Sequence, residues 1–214
     1  MSIFNKFSQW QFSKDRLEFF SDAVFAIVVT LLVLELKVPR LPHDCTTQEI
    51  INSLRDIVPK FYSWVISFFF VMLIWLHHHQ IFLMTTKSDY GMMWINIILL
   101  FFISFLPFPT ALMGEYPHQP LNVTIWGVTV CLTTLVLNWL YYYNTHNYLS
   151  DTYDRNSVKK NVRLSLFAVP LIYLVAALLA WVSVYISYII YLIVPFLYIL
   201  PLDKEKKADS GTHH

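Results

Sequence analysis

Four separate runs of this chain, 19–38, 61–84, 92–113 and 123–143, each approach the roughly 20 apolar residues needed to cross the ~30 Å hydrocarbon core of a bilayer. A fifth run, 164–200, is nearly twice that length without a charge, and a tight hairpin near 184–187 is expected to divide it in two. Six spans follow. The chain is 57% hydrophobic and 14% charged, against about 25% charged in a soluble domain, so no water-soluble fold hides its apolar surface. The expected class is an all-α membrane protein with six transmembrane helices, because an apolar helix satisfies its own backbone within the bilayer.

The net charge of +1 offers no broad basic field, which excludes nucleic acid as a partner. Cys45 lies in a polar loop and Cys131 inside an apolar run, so their depths differ and no disulfide is expected. The first run lacks a small-residue cleavage pattern and reads as a span, not a removable leader. Pro107 and Pro109 near the end of the third run, and Pro170 and Pro195 in the last two, are expected to kink helices without abolishing them. Ile3, Phe7 and Trp10 stand at helical spacing, which fits a short interfacial helix or a frayed tail. No repeat of 20 to 50 residues is visible. Residues 1–202 read as one domain and 203–214 as a charged disordered tail, with 210–214 resembling a tag remnant.

Basic residues set the orientation, because Lys- and Arg-rich loops stay cytoplasmic. With six spans, eleven of the fifteen basic residues fall on the side of the two termini, and four (Lys37, Arg40, Arg55 and Lys60) fall on the other. Both termini are expected to be cytoplasmic. That topology brings the start of span one, the end of span two, the start of span three and the end of span four to one depth, together with their polar residues: Arg16, Ser21 and Asp22, then His77, His78 and His79, then Asn96, then Asn138.

Ionisable groups at membrane depth are costly and need named partners. Asp22 is expected to be buried against Arg16, one or more of the three histidines, and Asn96. Arg16 is the weaker partner: it precedes Asp22 by six residues, about 9 Å of rise and roughly 600° of rotation, so contact requires a bend or a second subunit. Such a network serves as a packing clasp or, since histidine titrates near neutrality, as a proton relay. Three successive histidines point about 100° apart and do not converge on one metal.

The sequence has no carbonyl-filter Thr-Val-Gly-Tyr-Gly, no His-Glu-x-x-His and no Gly-x-Ser-x-Gly, and its motifs support no enzyme and no cofactor. The body of span one carries Ile27, Leu31 and Leu34 at i, i+4, i+7 with Thr30 beside them. By spacing alone this stripe faces lipid, a neighbouring helix or a pore.

Arg16-x-x-x-Phe20-Ser21-Asp22-Ala23 resembles the Arg-x-x-x-Phe-Ser-Asp signature of the transmembrane protein 175 family, lysosomal potassium channels and their prokaryotic relatives. The resemblance extends to Trp75-Leu76-His77-His78, to Asn96 and to Ser104-Phe105-Leu106-Pro107-Phe108-Pro109-Thr110. It implies a six-span repeat present once per chain in prokaryotic members, hence a homotetramer in a bacterial plasma membrane, with potassium as the permeant ion. It also implies a pore lined by the first helix, with Ile27, Leu31 and Leu34 as the constriction, Thr30 as a hydroxyl layer, and Phe20 among the motif residues around the polar network. Rings of large apolar side chains give an ion no ligands, so passage needs a wetted neck and partial dehydration. Glu35, near the far end of the same helix, either concentrates cations at the mouth or pairs with Lys37 or Arg40. The rival functions are a proton-coupled secondary transporter using Asp22 and His77 to His79, and a nonconducting scaffold.

Overall fold

The structure, a computed structural model, describes residues 13–153 and 155–197. The expected segment 3–10 and the tail 203–214 lie outside the described residues. Seven helices are present among them: α1 (Lys14–Val33), α2 (Thr47–Met84), α3 (Tyr90–Phe105), α4 (Pro107–Glu115), α5 (Pro120–Asn147), α6 (Arg155–Leu179) and α7 (Val184–Leu197). No extended strand occurs among the described residues, and Thr85 pairs with Leu149 in an isolated antiparallel bridge. Three segments are long and apolar enough to cross a membrane: α2, α3 with α4 taken together, and α5. Phe167–Leu179 and Val184–Pro195 are shorter apolar helical stretches. Helix α1 has 20 residues, about 30 Å of rise, but carries Lys14, Asp15, Arg16, Glu18 and Asp22.

Helix boundaries depart from the apolar runs for local reasons. The first run was expected to continue to residue 38, yet α1 ends at Val33. Leu34 N–H turns back to Leu31 O and Leu36 N–H to Val33 O, tightening the last turn, and Pro39 then keeps Val38 out of helical conformation. Helix α2 starts fourteen residues before its apolar run, because Thr46 and Glu49 form a capping box. Glu49 N–H donates to Thr46 Oγ1 at 3.3 Å and Thr46 N–H to Glu49 Oε2 at 2.7 Å. Hydropathy is blind to such an extension. The third run is interrupted at Leu106, since Pro107 and Pro109 bring no N–H to the ladder, and it resumes as α4 with Thr110 N–H on Leu106 O.

The hairpin in the last run falls at 180–183, four residues earlier than expected, with Trp181, Val182 and Ser183 N–H groups closing on Leu178 and Leu179 carbonyls. Ser187 is therefore no turn residue. It is buried within α7 and donates to Ala176 O on α6 at 2.7 Å, so a polar side chain joins the two helices.

The centre of the bundle is aromatic. Trp126 of α5, Tyr173 of α6, Tyr191 of α7 and Phe70 of α2 are buried against one another, with Trp126 and Tyr191 ring centroids 4.6 Å apart. The polar tips of Tyr191 and Trp126 are satisfied: Tyr191 Oη donates to Val123 O at 3.1 Å and Trp126 Nε1 to Ser67 Oγ at 2.9 Å. Gly127 makes this packing possible, since a Cβ there would collide with the Tyr191 hydroxyl and lie 2.8 Å from Ala177 Cβ.

Candidate functional site: the two faces of the first helix

Helix α1 divides its residues between a packed and an open face. Ser21, Phe25, Val28 and Leu32, at i, i+4, i+7, i+11, are buried where α1 meets α2 and α3. Ile27, Leu31 and Leu34 are 56%, 44% and 64% exposed in the single chain, and Thr30 is exposed between them. Leu34 is the C-cap, so the row runs to the helix end. Thr30 Oγ1 donates to Ala26 O and Ile27 O at 3.1 and 2.8 Å. Its hydrogen is thus used on the helix's own backbone, which leaves the oxygen as an acceptor.

The packed face holds a directional chain of hydrogen bonds. Ser21 Oγ donates to Leu17 O at 2.8 Å and receives from Asn96 Nδ2 at 2.8 Å, while Asn96 Oδ1 lies 2.9 Å from His78 Nε2. Since the carbonyl oxygen only accepts, His78 carries its hydrogen on Nε2. Ser21, Asn96 and His78 are all fully buried, which joins α1, α3 and α2 through one neutral chain. His78 Nδ1 is buried with no hydrogen-bond partner among the described residues, against the rings of Phe25 and Phe82.

A second, more open set lies beside it. Asp22 Oδ1 accepts from Trp75 Nε1 at 2.8 Å, and Glu18 Oε1 lies 3.3 Å from His79 Nδ1, with Trp75 and His79 stacked at 5.8 Å. The partner of Asp22 is therefore an indole, where a histidine, Asn96 and Arg16 were expected. Arg16 forms no ion pair with it among the described residues, as its position on a continuous helix dictates. Phe20 is 61% exposed and lies outside both sets. His77 is buried with Nδ1 2.8 Å from Leu73 O, pointing away from its two neighbours. No group of three His, Cys, Asp or Glu suited to a metal occurs among the described residues.

Beyond the apolar runs, Asp89 caps α3 through Met92 N–H at 2.8 Å. Its other oxygen accepts from Tyr143 Oη and Tyr148 Oη at 2.6 and 2.8 Å. Burial and then the bond to Asp89 hold the Tyr148 phenol above its ordinary pKa range. Gly91 admits Tyr143, whose ring carbon Cζ would stand 2.8 Å from an added Cβ. This latch ties the α2–α3 loop to the end of α5, and Thr86 N–H to Tyr148 O at 3.0 Å reinforces it. Sequence reasoning passed over it, though an Asp three residues before Met92 is a readable N-cap signal.

A sequence profile of the family described as endosomal/lysosomal potassium channel TMEM175 matches residues 16–107, the stretch that supplies both polar sets and the open row. A potassium channel of Chamaesiphon minutus is 34% identical over 178 residues, covering 80% of this chain and 86% of its own. The mouse endosomal/lysosomal proton channel TMEM175 is 36% identical over 118 residues, 51% of this chain and 24% of its own. The crystal structure of a lysosomal potassium-selective channel TMEM175 homolog from Chamaesiphon minutus superimposes with a TM-score of 0.77 at 31% identity, over 89% of this chain and 98% of that one. These named members are ion channels and not enzymes. The chain belongs to the TMEM175 family.

Proposed function

We propose that this chain is a potassium-permeable cation channel acting as a homotetramer in the bacterial plasma membrane. Residues 1–202 form one six-span domain, counted as α1, α2, α3 with α4, α5, α6 and α7, with both termini cytoplasmic. The observation that carries the reading is the division of α1: an apolar row left open in the single chain, opposite a face fixed by the Ser21–Asn96–His78 bonds. Four copies of α1 around an axis turn Ile27, Leu31 and Leu34 into rings and Thr30 into a layer of acceptor oxygens. An ion meets no ligand at the apolar rings, so it passes only when the neck is wet and at the cost of part of its hydration. Potassium loses water more easily than sodium, which gives selectivity of a modest degree without a carbonyl cage.

The mouse relative's name favours a second reading, proton permeation. A relay requires each group to accept on one side and donate on the other. The buried chain ends on the Leu17 carbonyl, and His78 Nδ1 has no partner among the described residues, so these bonds fit a clasp better than a proton path. Reconstitution of the full chain into liposomes separates the readings. A potassium channel gives stepwise single-molecule potassium currents, a proton channel gives current that reverses with the pH gradient and not with the potassium gradient, a proton-coupled carrier gives slow flux that follows pH, and a scaffold gives none of these.

A further inference from the structure

At the end of the bundle away from the Thr85–Leu149 bridge, α2, α7 and the loop before α5 enclose an apolar groove of about 570 Å³. That is the size of pockets that hold small organic ligands. Val65 and Ile66 form one wall, and Ile189 and Leu192 the other. Tyr62 and Tyr185 stand exposed at its rim, His118 packs on Tyr185 at 6.2 Å, and Tyr188 Oη donates to Pro117 O at 3.0 Å. From Tyr185 to Leu192 the helix descends about 10 Å, a third of the ~30 Å hydrocarbon core. Polarity thus falls with depth: phenol and imidazole at the mouth, aliphatic carbon below.

Helix α2 continues past the rim. Ile50, Leu54, Val58 and Phe61 form one exposed apolar row on the extension that the Thr46 cap begins, and it leads down to the groove. Arg55 shares a face with Pro59 and Tyr62, at i, i+4, i+7, and so stands about two turns, roughly 10 Å, above the rim at Tyr62. It is exposed and forms no ion pair among the described residues.

We propose that the groove binds one acyl chain of an outer-leaflet phospholipid, whose phosphate is held by Arg55. The aliphatic walls offer water no polar partners, so water does not fill them. Tyrosine and histidine at the mouth match the boundary between headgroups and acyl chains, where amphipathic rings are favoured. A guanidinium fork suits phosphate oxygens. A protein partner is apolar at its centre and polar all round, whereas a lipid is polar at one end only, and below Tyr62 and Tyr185 the groove presents that one-ended gradient, while Val58 and Phe61 carry apolar surface past the rim. The inference rests on the proposed orientation of the chain in the membrane and not on conduction.

The test uses the full chain in phosphatidylcholine vesicles doped with a phosphatidylcholine that carries a diazirine at mid-chain, with adducts mapped by peptide mass spectrometry after irradiation. Adducts are expected to concentrate on 58–66 and 185–192, above the control surface around the exposed Leu171 and Leu178. Ile189→Trp, which fills the groove, should bring labelling there down to the control level, while Leu178→Trp should leave it unchanged. Arg55→Gln should lower it about fivefold, the loss expected of one ordinary net hydrogen bond at a solvent-exposed site. Should Ile189→Trp not fold, Ile189→Phe and Arg55→Gln carry the same comparison. Equal labelling of groove and control surface would mean annular lipid alone and overturn the proposal. So would an unlabelled groove in which Tyr185→Cys cross-links two copies, since a second chain would then occupy it. Neither result depends on whether the protein conducts.

Discussion

Between α1, α2 and α3 the helices are joined side chain to side chain through Asn96, whereas α5, α6 and α7 close on Gly127 and an aromatic cluster, with the Tyr191 hydroxyl on Val123 O and the Ser187 hydroxyl on Ala176 O. A polar joint of the first kind fixes azimuth as well as distance, because a small rotation of α1 breaks Ser21 from Asn96 while leaving Phe25 and Val28 in contact. The second kind has no slack to rotate, since Tyr191 already touches Gly127 and Val123. The first region holds the motif residues and the profile match and sets which face of α1 is open; the second is the scaffold behind it.

Breaking the scaffold should have the largest effect. Gly127→Val drives a side chain onto Tyr191 and Ala177 and should cost about 3 kcal/mol or prevent folding, read as the detergent-solubilised protein's thermal midpoint and monodisperse yield. Asn96→Ala comes next. It strands the His78 Nε2 hydrogen in a fully buried site, so about 2 kcal/mol is expected, together with altered opening in current recordings. Restored stability in Asn96→Ala combined with His78→Phe would confirm that the stranded group causes the loss. Asp22→Ala should cost less, about 1.5 kcal/mol, because Trp75 Nε1 is only part-buried. It should change opening more than ion discrimination, and bi-ionic reversal potentials distinguish the two. Ile27→Ala sits at the bottom of the stability scale: an exposed side chain should move the thermal midpoint by no more than about 0.5 kcal/mol equivalent.

Sequence reasoning reached depth but not azimuth. Sorting residues by topology put Arg16, Ser21, Asp22, His77 to His79 and Asn96 at one level, and the structure brings Ser21, Asn96 and His78 together there. Which neighbour each one meets depends on helix rotation, and no apolar count supplies that: Asp22 finds Trp75, His79 finds Glu18, and Arg16 is turned away. Boundaries failed where polarity and helicity part company. The Thr46–Glu49 box extends α2 through residues that hydropathy assigns to a loop, and Ser187 looks like a turn former until its hydroxyl is seen on Ala176 O. The i, i+4, i+7 row on α1 was legible from spacing, but its openness was not, because an exposed and a packed apolar stripe read alike in sequence.

If the open row of α1 is the conduction neck, a polar side chain at its first ring must alter conduction itself, and Ile27→Asn places one there. The variant is to be reconstituted alongside the unmodified chain, with unitary potassium conductance and the potassium-to-sodium permeability ratio recorded from proteins of matched thermal midpoint and oligomeric size. A polar ring at that level favours wetting, so conductance should rise and the permeability ratio should fall toward unity. A conducting, correctly assembled Ile27→Asn protein with unchanged conductance and unchanged selectivity would contradict the claim and move the neck off this face of α1.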